Sequence, residues 1–162
     1  MSGLLHDFML LNYVEHPVEN WQQWYHNPAA MKIHDDILQY IADSLRWIPT
    51  YNPAAKLPCH GLCWCGPTII DTTGAKIAAR VFASWAELFS CGPNEIELTG
   101  QFSWQSENAT EQDGVERVVS GSAGYERLNM NRDELTMNLR TLASYAERIE
   151  QTDALYILHL GI

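Results

Sequence analysis

Basic residues are the scarcest resource of this chain. Lysine and arginine together number 10 against 20 aspartates and glutamates in 162 residues, giving a formal charge of −10 and a pI near 4.9. A field of that sign repels nucleic acid and anionic membrane and attracts cationic partners, so neither nucleic acid nor membrane is expected as a partner. Long apolar runs are missing too, and none approaches the roughly 20 residues needed to cross a bilayer. The opening MSGLLHDFMLLNYVEH has an apolar run at residues 8–11, but Asp7 precedes it and neither a basic residue nor a small-residue cleavage site frames it, unlike a signal peptide.

Cysteine is sparse. Cys59, Cys63, Cys65 and Cys91 are too few and too uneven for a disulfide framework, so reduced thiols and a cytoplasmic location are expected. Gly74, Gly92 and Gly100 are dispersed and match neither the P-loop nor the dinucleotide-binding pattern. No cofactor is expected, and no repeat at a fixed period is visible.

What remains is an ordinary globular composition, 46% apolar and 19% charged, enough for a single α+β domain over residues 1–162 with a core of its own. Residues 3–13 read as a buried strand, and Pro17 suits the first turn of a short helix carrying Trp21, Trp24 and Tyr25. Ala30, Ile33, Ile37, Ile41, Leu45 and Ile48 then recur at steps of three or four, which predicts one long helix over 30–48. Three prolines make 49–57 an irregular connection, followed by short strands around Leu62 and Trp64 and over 68–71. Ile77, Val81, Trp85 and Leu88 trace a second long helix to Ser90, with Gly92 placed to take a left-handed conformation just past its end.

From Glu95 the period changes. Ile96, Leu98, Gly100, Phe102 and Trp104 alternate with polar residues, the mark of a half-buried antiparallel strand. A polar, acidic stretch at 105–114 and a second strand-like run over 115–128 make a hairpin, with Gly121 and Gly124 marking a bulge or bend in its second arm. Asn131 with Glu134 resembles a capping box at the start of a third long helix to about Glu150. The run 154–162, broken only by His159, fits a central strand buried on both faces. Strands and helices that do not alternate strictly predict a mixed or mainly antiparallel sheet with three long helices packed on one face.

Each candidate site has a plain reading beside a functional one. Cys59, His60, Cys63 and Cys65 offer three thiols and an imidazole within seven positions, a set zinc accepts, yet no second pair of ligands follows and the cysteines suit a buried core better. His159 is either a satisfied core histidine or a group facing a pocket. His34, Asp35 and Asp36 lie on the predicted long helix, where consecutive side chains diverge by about a hundred degrees, and read as a solvated face. Trp85 and Trp104 sit on apolar stripes, whereas Trp21, Trp24 and Trp47 fall near helix ends and are better placed for exposure.

The acidic residues collect in two places. Asp7, Glu15, Glu19, Asp35, Asp36 and Asp43 face Lys32 almost alone, and Glu107, Glu111, Asp113 and Glu116 crowd the hairpin tip. With no catalytic motif in view, the expectation is a non-enzymatic binding protein, an immunity or inhibitor protein for a basic partner such as a nuclease toxin. Glu95, Glu97, Glu107, Glu111 and Asp113 are its candidate contact residues. The alternative is a small-ligand-binding protein or enzyme with a pocket between sheet and helices, using His60, Cys63, Cys65 or His159. A homo-oligomer built on exposed tryptophans is a third reading.

Overall fold

A computed structural model describes residues 4–105 and 122–162. Six strands form one antiparallel sheet in the order β2-β1-β8-β5-β3-β4: β1 Leu5–Asn12, β2 Met31–His34, β3 Pro49–Asn52, β4 Leu57–His60, β5 Pro67–Ile70 and β8 Leu155–Leu160. Two further strands, β6 Glu95–Gln105 and β7 Ser122–Asn131, pair only with each other as a long ribbon. The helices are α1 Asp35–Tyr40, α2 Ala42–Leu45, α3 Ala75–Ser90 and α4 Arg132–Glu150. Among the described residues no helix is long and apolar enough to cross a membrane.

The α+β composition and the antiparallel sheet agree with the sequence. β8 lies between β1 and β5, as its unbroken apolar run requires, and residues 156–160 are all buried. Alternate residues of the central strands serve two clusters. Phe8, Ile70 and Ile157 pack with Ile37, Leu45, Phe82, Leu139 and Leu142 of the four α-helices. Met9, Leu11, Ile69, Tyr156 and Leu158 face the other way, under Val18, Trp21 and Trp24 of a 3-10 helix at Val18–Trp24. The predicted short helix after Pro17 is thus the cover of the second face.

Three long helices were expected; among the described residues two, α3 and α4, are long α-helices. The 30–48 segment divides: Met31–His34 joins the free edge of β1 as β2, and Ile41, at φ −99° and ψ 8°, separates α1 from α2. A four-residue apolar step suits a helix and also suits a strand that turns into one, since Ile33, Ile37, Ile41, Leu45 and Ile48 are buried either way. The unpaired edge of β1 decides for a strand, because four residues of backbone there find partners they would otherwise lack.

The prolines at 49–58 do not prevent pairing. Pro49 opens β3 and Pro58 lies on the outermost strand, where a missing N–H does no harm, and Asn52 Oδ1 accepts from the Ala54 and Ala55 N–H groups to shape the turn between. The strand expected around Leu62 and Trp64 is instead a turn. Gly92 does not take a left-handed φ; its value is close approach, since a Cβ there would meet Ile96 and the Phe89 carbonyl at 3.2 Å.

α4 begins as the sequence predicts: the Asn131 side chain accepts from the Glu134 N–H at 3.0 Å. The ribbon's irregularity falls in the first arm, where Gly100 and Gln101 oppose Glu126 alone, because the register steps from Thr99↔Arg127 to Phe102↔Tyr125. Gly124 pairs regularly with Ser103, and Gly121 lies outside the described residues. The extra residue reverses the alternation. Ile96, Leu98 and Leu128 face the core, whereas Phe102 and Tyr125 stand on the face of Glu95 and Glu97, 59% and 65% exposed.

Candidate functional site

Three side chains from distant parts of the chain meet at one edge of the helix-backed face. His159 of β8 and His6 of β1 are both fully buried, with His159 Nε2 2.8 Å from His6 Nδ1. His6 Nε2 lies 3.0 Å from Oδ1 of Asp35, whose side chain is 23% exposed in the first turn of α1. The rings are within 14° of coplanar. Phe8 packs on His159, and Trp64 stands edge-on to His6 with ring centres 5.2 Å apart.

Hydrogen-bond bookkeeping sets the protons. An ionised Asp35 only accepts, so His6 Nε2–H donates to it; a neutral His6 then accepts at Nδ1 from His159 Nε2–H. This leaves His159 Nδ1 as a lone pair in the interior, and it is one of three buried side-chain polar atoms without a partner among the described residues. The His159 pKa falls well below the ordinary 6.5, first through burial and second because a proton on His159 would be repelled by one on the adjacent His6, so the His159 ring stays neutral.

The carboxylate end of this relay opens into a cleft of about 440 Å³ between α1, the 61–66 turn and the ribbon. Asp35, Asp36 and Glu126 bring carboxylates, Tyr40 and Trp64 bring aromatic rings, and among the described residues no lysine or arginine lines it. The Asp36 N–H donates to His34 Nδ1 at 3.2 Å, which caps the start of α1 and fixes the backbone from which the Asp36 side chain projects. Trp64 owes its depth to Gly161: a Cβ there would stand 2.1 Å from the Trp64 carbonyl oxygen, while the Ile162 N–H donates to that oxygen at 3.0 Å.

The candidates named from the sequence fare unequally. Glu95 and Glu97 are exposed on the ribbon face that carries Phe102 and Tyr125; Glu97 pairs with Arg127, and Glu95 accepts weakly from Asn131 at 3.4 Å. Glu107, Glu111 and Asp113 lie outside the described residues. Cys59 and His60 sit on the outer strand β4, Cys63 is half-buried in the turn and Cys65 is exposed, so these cysteines are not core. Among the described residues no group of three or more His, Cys, Asp or Glu side chains gathers closely enough to hold a metal. Cys63 and Cys65 do approach Tyr25, whose hydroxyl pKa is raised by burial and then by these two thiols.

His6 was not singled out from the sequence, and Asp35, read there as part of a solvated helix face, instead bonds His6 and lines the cleft. His159 carried a signal, as the one polar residue in an apolar strand, but its partners are 153 and, through His6, 29 positions removed from one another along the chain. No protein-family model, curated protein or solved structure matches this chain. The geometry therefore carries the functional argument.

Proposed function

We propose that the protein is a binding protein for a basic protein partner, in the manner of an immunity or inhibitor protein, and that the cleft receives a cationic side chain of that partner. One observation carries the reading: three carboxylates and two aromatic rings line a concave site that, among the described residues, no lysine or arginine borders. A guanidinium or ammonium is attracted both by carboxylates and by ring faces. On the face opposite Leu128 the ribbon presents Glu95, Glu97, Phe102 and Tyr125, the mixture of aromatic anchor and charged rim that protein interfaces favour.

A titration with an arginine-rich peptide at two salt concentrations tests this. Asp36→Asn with Glu126→Gln is expected to weaken binding at least tenfold and to flatten its salt dependence. Glu147→Gln with Glu150→Gln removes the same charge from exposed positions of α4 and is expected to leave binding intact. Equal losses from both pairs would reduce the attraction to net charge and sink the site.

A second reading rests on the relay. A cleft carboxylate backed by two buried imidazoles is suited to taking up and returning a proton of a small bound ligand. Thermal-shift measurements with small organic amines separate the two. Stabilisation by an amine, lost in Asp36→Asn, favours the small ligand; binding of the extended peptide alone favours the partner protein.

A further inference from the structure

A different face of the molecule reverses the charge pattern. Along the outer side of α3, Ile77 and Leu88 are exposed, and Trp47, just past α2, is 65% exposed beside them. With Arg80, Val81, Ser84 and Trp85 they border a shallow groove of about 360 Å³ in which, among the described residues, no carboxylate takes part and Arg80 is the one ionic group. Trp85 is fixed there, its indole N–H donating to Ser44 Oγ at 2.7 Å. The nearest acid on the helix, Glu87, leans away towards Arg140 on α4, 3.9 Å distant.

We propose that this groove pairs with the same groove of a second copy of the chain, the two α3 helices crossing antiparallel about a twofold axis near Phe82 and Ala83. An isologous contact has to be complementary to itself, each residue i meeting j while j meets i. Reversing α3 about that point sets Ile77 opposite Leu88, Arg80 opposite Trp85, and Val81 opposite Ser84. Apolar side chains then meet apolar ones, a guanidinium meets an indole, and a branched side chain meets a small one. Ala83 and Ser84, both exposed, leave room at the crossing for helix axes to approach to about 8–10 Å. Trp47 extends the contact on each flank.

Charge points to the same occupant. Two copies at −10 each repel, so self-association is least costly through a surface free of carboxylates, and this groove is lined by none. It follows that salt strengthens this association by screening the repulsion between copies. Binding of a basic partner in the acidic cleft responds in the opposite sense, so the two contacts are distinguishable in one set of experiments.

Sedimentation velocity of the full chain over a wide concentration range, at low and high salt, tests the proposal. A monomer–dimer equilibrium that tightens with salt is expected. Ile77→Glu and Leu88→Glu each set a carboxylate against an apolar side chain at both ends of the contact and are expected to weaken the dimer at least tenfold, with the circular dichroism of the monomer unchanged because both side chains are exposed. Hydrogen exchange of the unmodified protein adds a readout free of substitution: protection on the outer face of α3 should rise with concentration. A monomer at every concentration in high salt overturns the proposal, as does a dimer that loosens with salt, survives both variants, or leaves α3 exchange unaltered.

Discussion

The helix-backed sheet and the β6–β7 ribbon are both antiparallel and are held by different forces. In the sheet, β8 buries alternate residues on both sides, against α-helices below and the 3-10 cover above. In the ribbon only the base, through Ile96, Leu98 and Leu128, reaches the core; beyond the bulge its described aromatic pair, Phe102 and Tyr125, meets edge to face in solvent. Buried area stabilises the first region and backbone pairing the second, so local opening should cost far less in the ribbon. The cleft lies where the two meet, with Asp35 supplied by the rigid side and Glu126 by the looser one.

The strongest way to break the contrast is to hollow the sheet side. Phe82→Ala removes a fully buried ring between α3 and the sheet and should cost about 3–5 kcal/mol, enough to lower the urea midpoint of the whole molecule. Tyr125→Ala, with its ring 65% exposed, should cost no more than about 0.2–1 kcal/mol, seen as a small shift in the same titration. If the two variants cost alike, the ribbon is as firmly held as the body and the contrast fails.

Between these extremes lie the relay and the hinge of the ribbon. His159 is held neutral in the fold because its pKa is lowered from 6.5, whereas the unfolded chain protonates near 6.5. The unfolded state therefore binds more protons below that pH, and the contribution of this residue is fully present above 6.5 and lost as pH falls towards the folded pKa. Urea midpoints measured from pH 7.5 downwards should decline accordingly, and His159→Gln should flatten the decline. At neutral pH that variant should cost about 1–3 kcal/mol for the disturbed bond to His6. Asn131→Ala, which uncaps α4 where the ribbon enters it, should cost about 0.5–2 kcal/mol in a thermal melt.

How much of this was legible depends on whether the deciding contact is local. α3, α4, β1 and β8 followed from periodicity and caps, because each carries its pattern unbroken over its own length. The 30–48 segment misled for the opposite reason: its spacing is helical throughout, and the strand in it exists only because β1, some 25 residues earlier, offers an edge. Phe102 was placed on the wrong face since alternation in one strand cannot reveal a bulge that is defined by its partner. The acidic site was legible as charge and not as place. Asp36 and Asp35 were read as a solvated helix face, while the cleft they enter is completed by Trp64 and Glu126 from elsewhere.

Gly161 carries no functional group, and any search for reactive side chains passes over it. Yet the chain sets the Trp64 carbonyl 2.1 Å from where a methyl group at 161 would be, so a single added carbon must lift the indole from the edge of His6. Water would then reach the imidazole pair from the side, the low-dielectric surroundings that keep His159 uncharged would weaken, and its titration would drift back towards that of a free histidine. The wetness of the relay is thus set by the smallest residue in the chain, two positions past the histidine it protects.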